Sequence, residues 1–222
     1  MTPDGRITSE FDDVTIDSLA VFEDDDDLAD LELVVLTLSS AVLLDDALRT
    51  HIQHSDPDLL RPVPGAEDLI RRLRATGVAV ALVGGLPRST QDAVLGTLGW
   101  IGLADITLSR EDAGRGSPFP DLALTALLRA GASSVEGMVV VGDTPSDIAA
   151  GVAAGAGLVV GVLTGRYDEQ ALLDAGADAV LPSVADLPEL LGYDDDHDHD
   201  HDHEHEHEHE HEHSGAEGSG IR

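Results

Sequence analysis

The chain contains no cysteine, so neither a disulfide framework nor a thiolate metal site is open to it. Lysine is absent as well: all 12 basic residues are arginine, which excludes any reaction through a lysine Schiff base. Aromatic residues make up 3%, so the core has to be aliphatic. No run approaches the roughly 18 apolar residues that a membrane-spanning helix needs. The first residues, MTPDGRITSEFDD, hold neither a basic region nor a hydrophobic stretch, and a cytoplasmic location is the expectation. Positive charge is scarce: 12 basic residues face 44 acidic ones, a formal charge of -32. That balance argues against nucleic acid and against anionic membrane as partners.

The acids are unevenly spread. Eleven fall in residues 1–30, twenty-one in 31–193 and twelve in 194–222, which together make the 44. This divides the chain into an acidic N-terminal segment (1–30), one α/β domain (31–193) and a charged tail (194–222), a sensible partition for 222 residues. In the first segment an apolar piece, Val14 to Phe22, precedes the unbroken acidic run Glu23 to Asp27. The run reads as a solvated linker; the apolar piece is either a short strand or a segment that docks on a partner. Within the domain, apolar runs alternate with helical patterns. Strands are expected at Leu31–Leu38, Val78–Val83, Asp105–Leu108, Met138–Val141, Leu158–Leu163 and Ala179–Leu181. Helices are expected at Ala66–Ala75, Ser89–Leu98, Asp121–Ala130, Glu169–Ala175 and Val184–Leu191. The alternation predicts a three-layer, doubly wound parallel sheet with its site at the carboxyl ends of the strands.

The stretch MVVVGDTPSDIAAGVAAGAG, Met138 to Gly157, organises the rest. Its apolar start is a strand buried on both faces, Gly142 permits a sharp exit, and Thr144-Pro145 reads as a helix cap followed by proline at the first helical position. Asp143 lies at the strand end and Asp147 one turn later. Two carboxylates over the end of a parallel sheet suit a hard cation such as Mg2+; alternatively, both merely cap a helix.

This segment resembles the GDxxxD motif of the haloacid dehalogenase superfamily. Residues 60–191 are similar to its phosphonoacetaldehyde hydrolase-like (phosphonatase-like) members through RPVPGAEDLIRRLRATGVAVALVGGLPRST, GRGSPFPD, GVLTG and GADAVLPSVADLPELL. The resemblance implies a Rossmannoid fold and magnesium-dependent phosphoryl chemistry. It also implies a first strand ending in DxDGT, whose first aspartate attacks phosphorus and whose second protonates the leaving group. Here the matching letters are Thr37-Leu38-Ser39-Ser40-Ala41, and both carboxylates are missing. A threonine hydroxyl is a poor nucleophile without an activating base, and Ser39 cannot act as general acid or base near neutral pH. Asp45 and Asp46 lie beyond the strand end and read as the start of a short helix.

Two further matched positions are degenerate. Gly84 stands where the family has a phosphate-binding hydroxyl, and Ser117 where it has a charge-balancing lysine or arginine. Glycine amides can still cradle an anion, and Arg115 is a candidate partial substitute for the lost cation. The family's helical cap, inserted after the first strand, has no room: between Ala41 and Pro62 about twenty residues are available, at most five helical turns. The cap is therefore absent or vestigial, which leaves the site open, covered by the N-terminal segment, or covered by a protein partner. His51 and His54 could bind metal as an i, i+3 pair, or are surface residues of the shortened connection.

The tail carries nine histidines at every second position, His197, His199, His201, His203, His205, His207, His209, His211 and His213, separated by aspartate or glutamate. Extended or helical, that spacing brings imidazoles together, and imidazole with carboxylate neighbours favours Zn2+, Ni2+, Co2+ or Cu2+ over Mg2+. It cannot build a core, so disorder without metal is expected. A native metal-binding extension, an engineered tag and a solubilising low-complexity tail are all compatible with the pattern. The functional expectation is a catalytically impaired relative, a pseudoenzyme that binds transition metals through its tail and serves metal buffering or a metalloprotein. Asp143, with the Ser39 carbonyl and Asp147, would hold Mg2+ weakly. The alternative is a residual Mg2+-dependent hydrolase of a small phosphate ester.

Overall fold

The computed structural model describes residues 31–38 and 60–193. Residues 1–30, Ser39, Asp45, Asp46 and every histidine of the chain, from His51 and His54 to the tail, lie outside the described residues. Six strands form one parallel sheet: β1 (Leu33–Thr37), β2 (Ala79–Gly84), β3 (Ile106–Ser109), β4 (Met138–Gly142), β5 (Leu158–Val162) and β6 (Ala179–Leu181), in the order β3-β2-β1-β4-β5-β6. Helices α1 (Ala66–Ala75), α2 (Arg88–Leu98), α3 (Arg110–Ala113), α4 (Asp121–Ala130), α5 (Pro145–Ala154), α6 (Glu169–Asp174) and α7 (Leu187–Leu190) connect or follow them. The expected α/β class and doubly wound parallel sheet are what the structure has.

Both faces of the sheet are covered, which is why its central strands read as unbroken apolar runs. The period of two is still there inside each run. Val34, Leu36, Val80, Leu82, Val139 and Val141 enter the core under α1, α2 and α7; Leu33, Val35, Ala81, Val83, Met138 and Val140 enter the one under α4 and α5. On α1 the buried set is Ala66, Leu69, Ile70 and Leu73, one stripe of a 3.6-residue period, with Glu67 and Asp68 in the first turn and Arg72 and Arg74 in the last. Truncating a fully buried side chain such as Leu36 or Ile70 to alanine would cost about 2–5 kcal/mol.

α5 owes its small-residue composition to close packing. A β-carbon on Gly151 would lie 3.0 Å from Val159 and 3.1 Å from Val140, so a larger residue would push the helix off the sheet. Gly155 ends α5 in the left-handed region, φ 71°. Among the described residues no helix is long and apolar enough to cross a membrane.

Two elements differ from expectation. The last helix is a 3-10 turn, Val184–Asp186, followed by the four-residue α7: the Ser183–Asp186 capping box closes the first turn, and Pro188 in the first turn of α7 marks a new start. α3 was not expected at all. It forms because Ser109 and Asp112 make a capping box across it.

Candidate functional site

The strand order reverses between β1 and β4, the position where doubly wound sheets open a crevice. A cleft of about 400 Å³ lies there, at the carboxyl ends of the strands, lined among others by Thr37, Gly84, Gly85, Arg110, Ser117 and Asp147. Hydroxyl groups, bare glycine backbone, one guanidinium and one carboxylate are thus the chemistry the cleft offers.

Thr37 is the last residue of β1, paired with Val83, and it is buried at 7% exposure. It occupies the point at which a strand-borne nucleophile would emerge. Across from it, Asp147 stands at the third position of α5. Thr144, the N-cap, accepts a hydrogen bond from the Asp147 N–H (3.1 Å) and donates its own hydroxyl to Asp147 Oδ2 (2.7 Å). Ser117 donates to Asp147 Oδ1 (2.8 Å). The glycine of the motif is required sterically, because a β-carbon on Gly142 would overlap Asp147. Burial raises the Asp147 carboxyl above the ordinary aspartate range and the charge of Asp143 adds to the rise, against hydrogen bonds from Thr144 and Ser117 that pull it down.

Asp143 follows β4 and is only 2% exposed. It does not line the cleft as Asp147 does; Gly165, beyond β5, packs directly on its carboxylate, leaving no room for a β-carbon. A number difference of four does not place the two acids on one helix face, because Asp143 precedes the cap and belongs to the strand exit. Their charges nonetheless sense each other.

Gly84 closes β2, and its missing side chain has a definite neighbour. A β-carbon there would lie 2.8 Å from Oε1 of Gln91, whose Nε2 donates to the Leu108 carbonyl (3.0 Å) and whose Oε1 is buried without a hydrogen-bond partner. The carboxamide of α2 therefore fills the space in which a hydroxyl-bearing side chain at position 84 would start. Gly85 has open space on its side-chain side.

Arg115 does not act as the substitute cation considered from the sequence. Its guanidinium is spent on Asp121, Nε to Oδ1 at 2.9 Å and Nη2 to Oδ2 at 2.8 Å, and lies 4.3 Å above the Phe119 ring. The arginine that lines the cleft is Arg110, which sequence reasoning missed. The signal was the tetrad Ser109-Arg110-Glu111-Asp112 directly after an apolar run: a capping box that starts a helix at a strand's carboxyl end and places the arginine first in it.

For a divalent cation the fit is partial. Asp147 is a carboxylate that accepts from Ser117 and Thr144, and Asp143 is close enough to influence it, but among the described residues no group of three or more His, Asp or Glu side chains is placed to hold a metal ion. Two carboxylates beside a polar cleft suit a weakly held ion that keeps most of its water.

Comparison with known proteins agrees with this architecture. The family model described as haloacid dehalogenase-like hydrolase matches residues 15–155. The chain is similar to phosphonoacetaldehyde hydrolase from Bordetella pertussis, 32% identical over 154 residues, covering 59% of this chain and 56% of that protein; it thus spans about half the length of that curated relative. Among solved structures it resembles a HAD family hydrolase from Deinococcus radiodurans with bound phosphate and sodium (TM-score 0.64, 24% identity, 74% of this chain and 96% of the other). It also resembles a phosphonoacetaldehyde hydrolase-like protein from Oleispira antarctica (TM-score 0.62, 19% identity, 74% and 92%).

Proposed function

Because the chain belongs to the haloacid dehalogenase-like hydrolase family, we propose that it is a member whose hydrolytic chemistry is impaired, while metal binding persists in the cleft and in the histidine-rich tail. The observation that carries this reading is Thr37 at the end of β1. An attack on phosphorus from that point would have to come from a hydroxyl, and Asp147, the carboxylate among the described residues lining the cleft, already accepts from Ser117 and Thr144. Ser117 in place of a cation and Gly84 in place of a hydroxyl leave a phosphoryl group without two more of its expected contacts. Asp147 and Asp143 would hold a magnesium ion, which when bound supplies charge neutralisation for an anion in the cleft. The chain's own part is narrower: Thr144 and Ser117 orient Asp147, and Gly142 lets it approach the strand end.

The test is turnover of an aryl phosphate by the full chain with excess magnesium. No turnover above the buffer rate is expected, and activity that vanishes in Asp143→Ala would overturn the reading. That result would instead favour the second one, a residual hydrolase of a small phosphate ester, for which the retained acid pair and polar cleft speak.

For the tail, the motivating observation is the alternation of nine histidines with acids from His197 to His213. Neighbouring carboxylates raise imidazole basicity, so metal has to displace protons and uptake weakens below neutral pH. Titration with zinc or nickel should give a higher stoichiometry for the full chain than for one ending at Tyr193; equal stoichiometry removes the tail from the proposal. Metal buffering, or service to a metalloprotein, is the role this composition fits.

A further inference from the structure

The arginines on the β3 side of the sheet are not equivalent. Arg88 and Arg129 both pair with Asp112, and Arg115 pairs with Asp121. Each is committed to holding one helix or loop against another. Arg110 is exposed, makes no hydrogen bond or ion pair through its side chain among the described residues, and lines the cleft. Its place follows from the register: Ser109 lies opposite Gly84 on the neighbouring strand, so the next residue of each strand, Arg110 and Gly85, leave the sheet side by side.

A guanidinium next to bare glycine backbone and hydroxyls is a recognition surface for a planar or tetrahedral oxyanion. Arginine presents several N–H donors in a rigid fork, and Gly85 and Gly116, whose side-chain positions are open, let an anion approach main-chain amides. Ser146 adds a hydroxyl donor, whereas the hydroxyls of Ser117 and Thr144 are already donated to Asp147. The negative net charge of the chain makes a cation left unspent at this one cleft more pointed, since every neighbouring arginine has been drawn into an ion pair.

We propose that Arg110 is the anion-recognising residue of this cleft, and that the ligand class it selects is a small phosphate-bearing molecule, bound on the β2–β3 side and retained without hydrolysis. The cation expected at position 117 is thereby supplied from another element, the start of α3, and Asp112 is its positioning residue: by capping Ser109 (2.8 Å to the backbone N–H and 2.9 Å from the hydroxyl) it fixes where α3 begins. The inference rests on the proposed loss of hydrolytic chemistry only in the word "retained"; recognition by Arg110 stands apart from it.

Calorimetric titration of the full chain with inorganic phosphate, and separately with a phosphate monoester and with malonate, distinguishes these points. Wild type should bind phosphate and the monoester, and malonate more weakly. Arg110→Gln should weaken phosphate at least tenfold, the loss expected for a charge-assisted contact. Arg110→Lys should fall between, and Arg115→Gln should bind as wild type does. Because the Arg110 side chain has no hydrogen-bond or ion-pair partner among the described residues, its variants should melt with wild type, which separates lost binding from lost folding. Wild-type affinity in Arg110→Gln, or no phosphate binding by wild type at millimolar concentration, overturns the proposal. Monoester hydrolysis that is intact in Arg110→Gln overturns it too, whereas hydrolysis lost together with phosphate affinity upholds Arg110 and overturns the impaired-enzyme reading instead.

Discussion

Asp147 and Asp112 occupy the same local position. Each is third in its helix, behind a hydroxyl N-cap three residues earlier, Thr144 for α5 and Ser109 for α3, and each is bonded to that cap. Their surroundings are opposite. Around Asp112 burial works against the charge, but the Ser109 backbone and hydroxyl, Arg88 and Arg129 outweigh it and hold the carboxyl below the usual range. Around Asp147 burial prevails, Asp143 adds a like charge, and the carboxyl is pushed up. One acid is compensated and therefore structural; the other is left uncompensated beside a cleft, the condition in which a bound cation gains most. A four-residue capping motif thus does not tell a scaffold acid from a site acid. What tells them apart is where the fold sends its arginines.

The largest effect should come from removing the compensated acid. Asp112→Ala loses the α3 cap, about 1–2 kcal/mol by itself, and leaves Arg88 and Arg129 without their partner; urea unfolding should show a loss at least that large. The pH dependence has a fixed sign. The folded-state carboxyl is lowered, so its contribution is present above the unfolded aspartate value and is lost as pH falls through the lowered one. The gap between wild type and Asp112→Asn should accordingly close in acid.

Next in size is the cleft floor. Gly84→Thr, which restores the hydroxyl the family resemblance implies, drives a β-carbon against the buried Gln91 carboxamide and should destabilise by about 1–3 kcal/mol. Combining it with Gln91→Ser should recover part of that loss, and a double-mutant cycle in thermal melts should show the two positions coupled. Additive effects would mean that the carboxamide yields freely.

Asp147→Asn should show the mirror image of Asp112. The folded carboxyl is raised, so its charge is a penalty present above the raised value and relieved as pH falls through it. The asparagine variant should therefore be the more stable one near neutral pH, with the difference vanishing on acidification. Magnesium should raise the melting temperature of wild type and not that of the variant. Ser117→Arg would convert this corner to the Asp112 pattern: with a guanidinium in reach, the Asp147 carboxyl should titrate lower by NMR, and the sign of its pH dependence should turn.

The sheet was legible because its information is local. Apolar runs between Gly and Pro punctuation located all six strands, and Ala66–Ala75, Asp121–Ala130 and Ala179–Leu181 have the expected ends. Errors gathered where a capping box competed with periodicity, at Arg110–Ala113 and at Val184–Leu190. At the cleft the letters could say that the usual acids are missing from positions 37 and 39 and that Asp143 and Asp147 remain. They could not say that Gly165, from beyond β5, would bury Asp143, or that Asp121 would claim Arg115. Those outcomes depend on which loops meet at the strand ends, and sequence spacing within one motif carries no information about them.

Arg115 supplies the smallest prediction and the sharpest control. Its pair with Asp121 has good bidentate geometry and an aromatic face beneath it, and the pairing shifts both groups in the expected directions, Arg115 up and Asp121 down. Yet the arginine side chain is 58% exposed, and exposed pairs gain little because water and salt screen them while two side chains lose rotamer freedom. Arg115→Ala should therefore melt within the scatter of replicate wild-type scans and leave phosphate affinity unchanged. A fall in stability comparable with that of Asp112→Ala would mean that Arg115 and Phe119 hold the loop carrying Ser117 in place; in that case Asp147 would depend on an arginine after all, at one remove, and the contrast with Asp112 would narrow to the number of bonds between acid and guanidinium.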